Sequence, residues 1–174
     1  MNASRRIYIT GFMGCGKSTT GKKLALILGW QFVDLDKEIE RKAGQAIKDI
    51  FSSSGEDYFR KLEAETLFSL ITSADTVIST GGGTPCYGSN MDFMNRTGQV
   101  IYLKMTPGQL MSRLKGGEDS RPLITNLNKP DLLQYVSDKL AEREVHYLRA
   151  SIIINGFDLD IRALSETIKA TLKF

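Results

Sequence analysis

Five short apolar runs punctuate the chain: IYIT (Ile7 to Thr10), FVDL (Phe32 to Leu35), TVIST (Thr76 to Thr80), VIYLK (Val100 to Lys104) and SIIIN (Ser151 to Asn155). Between them, apolar residues recur at helical spacing. Leu24, Ala25 and Leu28 share one face, as do Phe59, Leu62 and Leu70, then Leu132, Val136 and Leu140, and finally Ile161, Leu164, Ile168 and Leu172. Runs that are apolar throughout and alternate with helices predict a parallel sheet covered on both faces. The expectation is a three-layer α/β domain with about five strands spanning residues 1–174.

Two segments break the alternation. Residues Ile39 to Leu70 are helical in pattern and longer than one crossover needs, with turn signals at Gly44 and at SSSG, Ser52 to Gly55. They predict an inserted helical lobe, about 36–70. The polar stretch KGGEDSRPLITNLNKPD, Lys115 to Asp131, joins two helices and carries paired glycines and two prolines. A long polar connection in a compact domain is typically functional, so a lid is expected at about 112–126.

Charge and composition narrow the function classes. The net charge of +3 comes from 23 basic and 20 acidic residues intermixed along the chain, without a basic block, which argues against nucleic acid as a partner. A locally positive pocket for an anionic ligand stays open. No apolar stretch approaches the ~20 residues that span a bilayer, and the N-terminal residues lack a signal-peptide pattern, so a cytoplasmic, soluble monomer without membrane contact is expected. Two cysteines, Cys15 and Cys86, and one histidine, His146, are too few for a disulfide framework or a zinc site.

The first chemical motif follows the first apolar run. Gly11, Gly16, Lys17 and Ser18 satisfy G-x-x-x-x-G-K-[ST] between a predicted strand and a predicted helix. Glycines let backbone N–H groups turn inward around phosphates, and the helix N-terminus adds partial positive charge. Lys17 then reaches the β and γ phosphates, and Ser18 offers a hydroxyl to Mg²⁺. Cys15, inside this loop, reads as small-residue filler, with a lowered thiol pKa as the alternative.

Such a loop serves switches as well as enzymes. NKPD, Asn128 to Asp131, resembles the guanine-reading N-K-x-D, but it follows a polar loop instead of a buried strand, and no aspartate has a glycine three positions later. It reads as a helix start, with Pro130 near the first position and Asp131 in the first turn.

DLD, Asp34 to Asp36, closes the second run, on the side of an open α/β sheet where ligands bind. On an extended segment, residues two apart point to one side, so both carboxylates would need a shared cation or donor-rich ligand. Asp34 would suit a metal and Asp36 a polyhydroxylated acceptor; a helix cap is the alternative. STGGGTP, Ser79 to Pro85, ends the third run in three glycines that let a ligand approach the backbone, or form a plain loop. Arg60 lies near Glu56, Glu63 and Glu65 and could be a surface cation; Arg121 and Arg143 follow later.

In this order, GxxxxGKST, DxD, DIF with FR and E, GGG, RPL, and R with Y, the chain resembles the shikimate kinase family over nearly its whole length. The resemblance implies a three-layer P-loop fold with a five-stranded parallel sheet of order 2-3-1-4-5, and transfer of phosphate from ATP to the 3-hydroxyl of shikimate. It implies that Gly14, Cys15, Gly16, Lys17, Ser18 and Thr19 line the ATP phosphates, and that Ser18 and Asp34 hold Mg²⁺. Asp36, Arg60, Gly82 and Arg143 are implied to hold shikimate, and Arg121 to swing in with the lid as an arginine finger. Lys17, Asp36 and Arg121 are the implied catalytic residues. The chain departs from the family in EVHY after Arg143, which lacks a common proline, and in INGFDLDIRAL, which has no clear adenine-side arginine. A gluconate-kinase-like enzyme and a nucleotide switch are the alternatives.

Overall fold

The structure, a computed structural model, describes residues 5–73, 75–115 and 129–172. Strands β1 (Arg6–Thr10), β2 (Gln31–Asp34), β3 (Thr76–Ser79), β4 (Gln99–Lys104) and β5 (Ile152–Asn155) form one parallel sheet of order β2-β3-β1-β4-β5. The sheet therefore has the expected strands and order. β1, at its centre, pairs with β3 on one side and β4 on the other. Strand order reverses there, which opens a crevice at the carboxyl ends of β1 and β3.

Alternation along the strands divides the core into two layers. Ile7 and Ile9 of β1, Val77 of β3 and Ile101 and Leu103 of β4 face α1 (Lys17–Leu28), α6 (Lys129–Tyr147) and α7 (Ile161–Leu172), meeting Leu24, Val136, Leu164 and Ile168. Tyr8, Ile78 and Val100 face the other way, onto Leu35, Ile39, Phe59 and Met94. Each fully buried Leu or Ile contributes about 1.5–3 kcal/mol, so both layers are needed to hold the central strands. The edges differ from the expectation of strands buried throughout. β2 is half-buried, and β5 alternates, with Ile153 exposed, because an edge strand has a neighbour on one side only.

Two helices, α2 (Leu35–Ala43) and α3 (Ile47–Ser69), pack together between β2 and β3. α2 stops at Gly44 in the left-handed region (φ 68°), and the Glu40 carboxylate accepts from the Ile47 amide at 3.0 Å, tying the start of α3 back to α2. Ser52 to Ser54 remain helical, contrary to the expected SSSG turn; the break falls at Gly55 alone, with φ 80° and ψ 174°. Leu70 opens a short 3₁₀ turn instead of continuing α3.

The remaining helices are α4 (Asn90–Thr97) and α5 (Pro107–Lys115). Residues 112–115 of the expected lid belong to α5, and 116–128, with Arg121, lie outside the described residues. Pro130 and Asp131 sit in the first turn of α6, so the end of NKPD opens a helix.

Candidate active site

The loop between β1 and α1 turns on glycines. Gly14 (φ 80°) and Gly16 (φ 94°) occupy the left-handed region that disfavours side chains, and Gly16 caps α1 without any side-chain acceptor for the first-turn amides. Those donors and the helix dipole are directed at a cavity of about 700 Å³, which Gly14, Gly16, Lys17, Ser18 and Thr19 line on one wall. Lys17 folds back across its own loop, donating to the Gly11 and Phe12 carbonyls at 2.9 and 3.0 Å. Cys15 lies in the middle of this loop. Its side chain is buried in the core and its amide donates to the Phe12 carbonyl, so the thiol is filler beneath the loop and takes no part in the cavity wall.

The opposite wall includes Asp34, Asp36, Ser79, Thr80 and Gly82. Asp34 ends β2 and is also the N-cap of α2, accepting from the Lys37 amide at 3.4 Å. Its other oxygen accepts from the Ser18 hydroxyl at 2.7 Å, and Ser79 Oγ lies 3.2 Å from Ser18 Oγ. One Asp34 carboxylate therefore caps α2 and faces the cavity beside Ser18.

Asp36 corrects the extended-segment argument. The chain turns helical at Leu35, whose buried side chain anchors that turn, and Asp36 lies in the first turn of α2. Both carboxylates reach one cavity through a strand-to-helix bend, which strand alternation does not describe. Burial pushes the Asp36 carboxyl up to about 6; Lys17 opposes this, while Asp34, Glu63 and Glu40 add to it.

The three glycines after β3 bring the separate charges together. A Cβ on Gly81 would lie 2.8 Å from Asp36 Oδ1, one on Gly82 3.5 Å from Arg143 Nη1, and one on Gly83 2.9 Å from both terminal nitrogens of Arg60. Each charged side chain thus lies against one bare backbone position. The Gly82 position also lies within 3.5 Å of the Met13 amide nitrogen, so the glycine run abuts the phosphate loop. Tyr147, buried at the end of α6, donates its hydroxyl to the Gly82 carbonyl and fixes that peptide.

Arg60 is not the surface cation its acidic neighbours suggest: its side chain is 15% exposed. Nη1 donates to Glu63 at 2.9 Å, and Nε and Nη2 donate to Glu56 at 3.2 and 3.1 Å. Glu63, 1% exposed, also accepts from Thr84 Oγ1 at 2.6 Å, linking α3 to the glycine run. Sequence reasoning left Glu63 off the site, although Phe59, Glu63 and Leu67 at i, i+4, i+8 put a carboxylate on an apolar helical stripe. Such a residue has to be paired inside.

Arg113 of α5 was missed altogether. It lines the main cavity and an adjoining one of about 220 Å³, donating to the Cys15 carbonyl at 3.0 Å and to the Gly156 and Phe157 carbonyls at 3.1 Å. Nothing in PGQLMSRLK marks it, since its partners are backbone groups distant in sequence. Among the described residues no helix is long and apolar enough to cross a membrane.

The shikimate kinase family model matches residues 13–173. A shikimate kinase of Bacteroides fragilis (strain YCH46) is 40% identical over 162 residues, covering 93% of this chain and 90% of that protein. The crystal structure of shikimate kinase from Bacteroides thetaiotaomicron aligns with a TM-score of 0.91 at 35% identity, over 99% of this chain and 100% of that one. Shikimate kinase from Acinetobacter baumannii, solved in complex with shikimate, aligns with a TM-score of 0.81 at 33% identity, over 97% and 93%.

Proposed function

The chain belongs to the shikimate kinase family, and from that premise we propose that its main cavity transfers the γ-phosphoryl group of ATP to the 3-hydroxyl of shikimate, giving shikimate 3-phosphate on the route to chorismate and the aromatic amino acids. The observation that carries this reading is the convergence of Asp36, Arg143 and Arg60 on three consecutive glycines beside the phosphate loop. A carboxylated polyol needs cations at one end, an acceptor for its hydroxyls at the other, and a bare backbone between them.

In this reading the loop amides and Lys17 receive the phosphates, Lys17 exchanging its two carbonyl contacts for phosphate oxygens. Arg113 and the adjoining cavity between Thr20 and Phe157 receive the base, which answers for the adenine-side arginine that INGFDLDIRAL does not clearly offer. Ser18 and Asp34 fit a magnesium site: two hard oxygen donors already in contact, beside a phosphate cradle, suit an ion that takes most of its ligands from phosphate and water. When bound, Mg²⁺ neutralises charge on the β and γ phosphates.

Arg60 and Arg143 clamp the acceptor's carboxylate, and Asp36 orients its 3-hydroxyl and takes the proton as the oxygen attacks in line. Lys17 stabilises the charge in transit, joined by Arg121 from the lid, which excludes competing water. The α2–α3 pair serves as the acceptor lobe, and the chain works as a cytoplasmic monomer with small-molecule partners only.

The test is ADP release with ATP·Mg²⁺ plus shikimate, gluconate, a nucleoside monophosphate, or no acceptor. Turnover with shikimate alone is expected. Turnover with gluconate and none with shikimate overturns the reading.

A further inference from the structure

We propose that Tyr87 is a positioning residue for the acceptor site: with its ring and, through Glu56, with its hydroxyl, it holds Arg60 in the orientation that receives the acceptor's carboxylate. This rests on the reading of Arg60 as part of the carboxylate clamp.

The Arg60 guanidinium carbon lies 3.8 Å from the centre of the Tyr87 ring, a close cation–π contact. The Tyr87 hydroxyl donates to Glu56 Oε1 at 2.8 Å, the same oxygen that accepts from Arg60 Nε and Nη2. One tyrosine therefore touches Arg60 twice, directly and through a carboxylate.

Donor counting gives this arrangement its meaning. A guanidinium has five N–H groups. Arg60 gives two to Glu56 and one to Glu63, which leaves two, one on each terminal nitrogen. Two N–H groups on adjacent nitrogens are what a ligand carboxylate needs for a paired contact.

The pairing with Glu56 is the weak link. Glu56 is 52% exposed, and an exposed ion pair alone contributes about 0–1 kcal/mol, too little to keep a long side chain in one place. Glu56 also follows Gly55, where α3 breaks. Tyr87 supplies what is missing. It lies directly after the Thr84–Cys86 turn, in the loop that carries the three glycines, so its hydroxyl fastens α3 to that loop across the acceptor site. With Glu56 tied to Tyr87, it stays on the Nε side of Arg60 and leaves the remaining N–H of each terminal nitrogen to the ligand.

Steady-state kinetics of the full chain test this, varying shikimate and ATP·Mg²⁺ separately, for Tyr87→Leu, Tyr87→Phe, Glu56→Ala and the Tyr87→Phe/Glu56→Ala double variant, with Arg60→Lys alongside. Losing ring and hydroxyl in Tyr87→Leu raises the shikimate KM about tenfold, and losing the hydroxyl alone in Tyr87→Phe raises it about threefold. The ATP KM stays within about twofold, because no ATP contact is touched. In the Glu56→Ala background the Phe change adds less than about 1.5-fold, since the hydroxyl has lost its partner.

A shikimate KM within about twofold in Tyr87→Leu, an equal rise in both KM values, or a threefold effect that survives in the Glu56→Ala background overturns the proposal. Should Tyr87→Leu fail to fold by circular dichroism, the Phe/Ala cycle decides alone. Arg60→Lys separates the carboxylate clamp from the residue that positions it. An unchanged shikimate KM in Arg60→Lys overturns the clamp itself; a raised one with inert Tyr87 variants overturns only the role of Tyr87.

Discussion

On the phosphate wall the groups that face the cavity come from one contiguous loop and helix start, whereas on the acceptor wall Asp36 and Gly82 line the cavity and Arg60 of α3 and Arg143 of α6 stand behind them against the glycines after β3. The phosphate wall is held by geometry internal to the loop: left-handed glycines and a lysine bonded to its own carbonyls. The acceptor wall is held by charge. Arg60 is fixed by Glu63 and Glu56, Thr84 is tied to Glu63, and Asp36 sits half-buried in the field of Lys17. Backbone donors cannot be removed by substituting a side chain, but a charge network loses its arrangement when one member goes. The phosphate wall should therefore be sensitive at the left-handed glycines, Lys17 and Ser18 within one short stretch, and the acceptor wall at several positions distant in sequence.

The largest effects test whether charge stabilisation in transit is shared by both walls. Lys17→Met and Arg121→Ala should each lower kcat by about 10³ in steady-state assays. A mainly KM effect for Arg121→Ala would demote it to binding. Next, Asp36→Asn should lower kcat by at least about 10² while calorimetric ATP affinity stays nearly unchanged, because the change is confined to the acceptor wall. Near-normal turnover there would remove Asp36 from the chemistry.

The same variant separates function from stability. The folded carboxyl of Asp36 is raised from 3.8 to about 6, so the folded form holds its proton where the unfolded chain has lost it. That contribution to stability is complete below about pH 4 and is lost as pH rises through about 6, amounting to on the order of 2–3 kcal/mol. In metal-free urea titrations, Asp36→Asn should gain stability over the parent at pH 7.5, with the gap closing towards pH 4. The smallest effect is expected for Glu63→Gln, which keeps the shape but drops the charge facing Arg60. It should cost about 1–2 kcal/mol by urea denaturation and raise the shikimate KM without moving the ATP KM.

Legibility in the sequence follows the same division. The strands, the phosphate loop and the helix start at Pro130 were readable because each depends on neighbours within a few residues; the strand order, which is not local, came with the family resemblance. Strand ends shifted by a residue where Leu35 left β2 for α2, and β5 alternated in burial because its position at the edge is not encoded in SIIIN. At the site, Asp34 was ambiguous between helix cap and cavity-facing carboxylate because one side chain does both, with one oxygen on the Lys37 amide and the other on Ser18. Glu63 left a faint trace as a charge on an apolar stripe, and Arg113 left none.

By itself, the sequence determined the α/β layering and the phosphate cradle, since hydrophobic period and glycine placement act locally on the backbone. Only the tertiary structure decided that Asp36, Arg143 and Arg60 each meet one of three consecutive glycines, that Arg60 is half-buried against Glu63 and Tyr87, and that the Cys15 thiol faces the core. Those outcomes depend on how segments tens of residues apart are brought together by packing on the sheet. A side chain's chemical role follows from burial and partners, which a linear pattern of residue types does not specify.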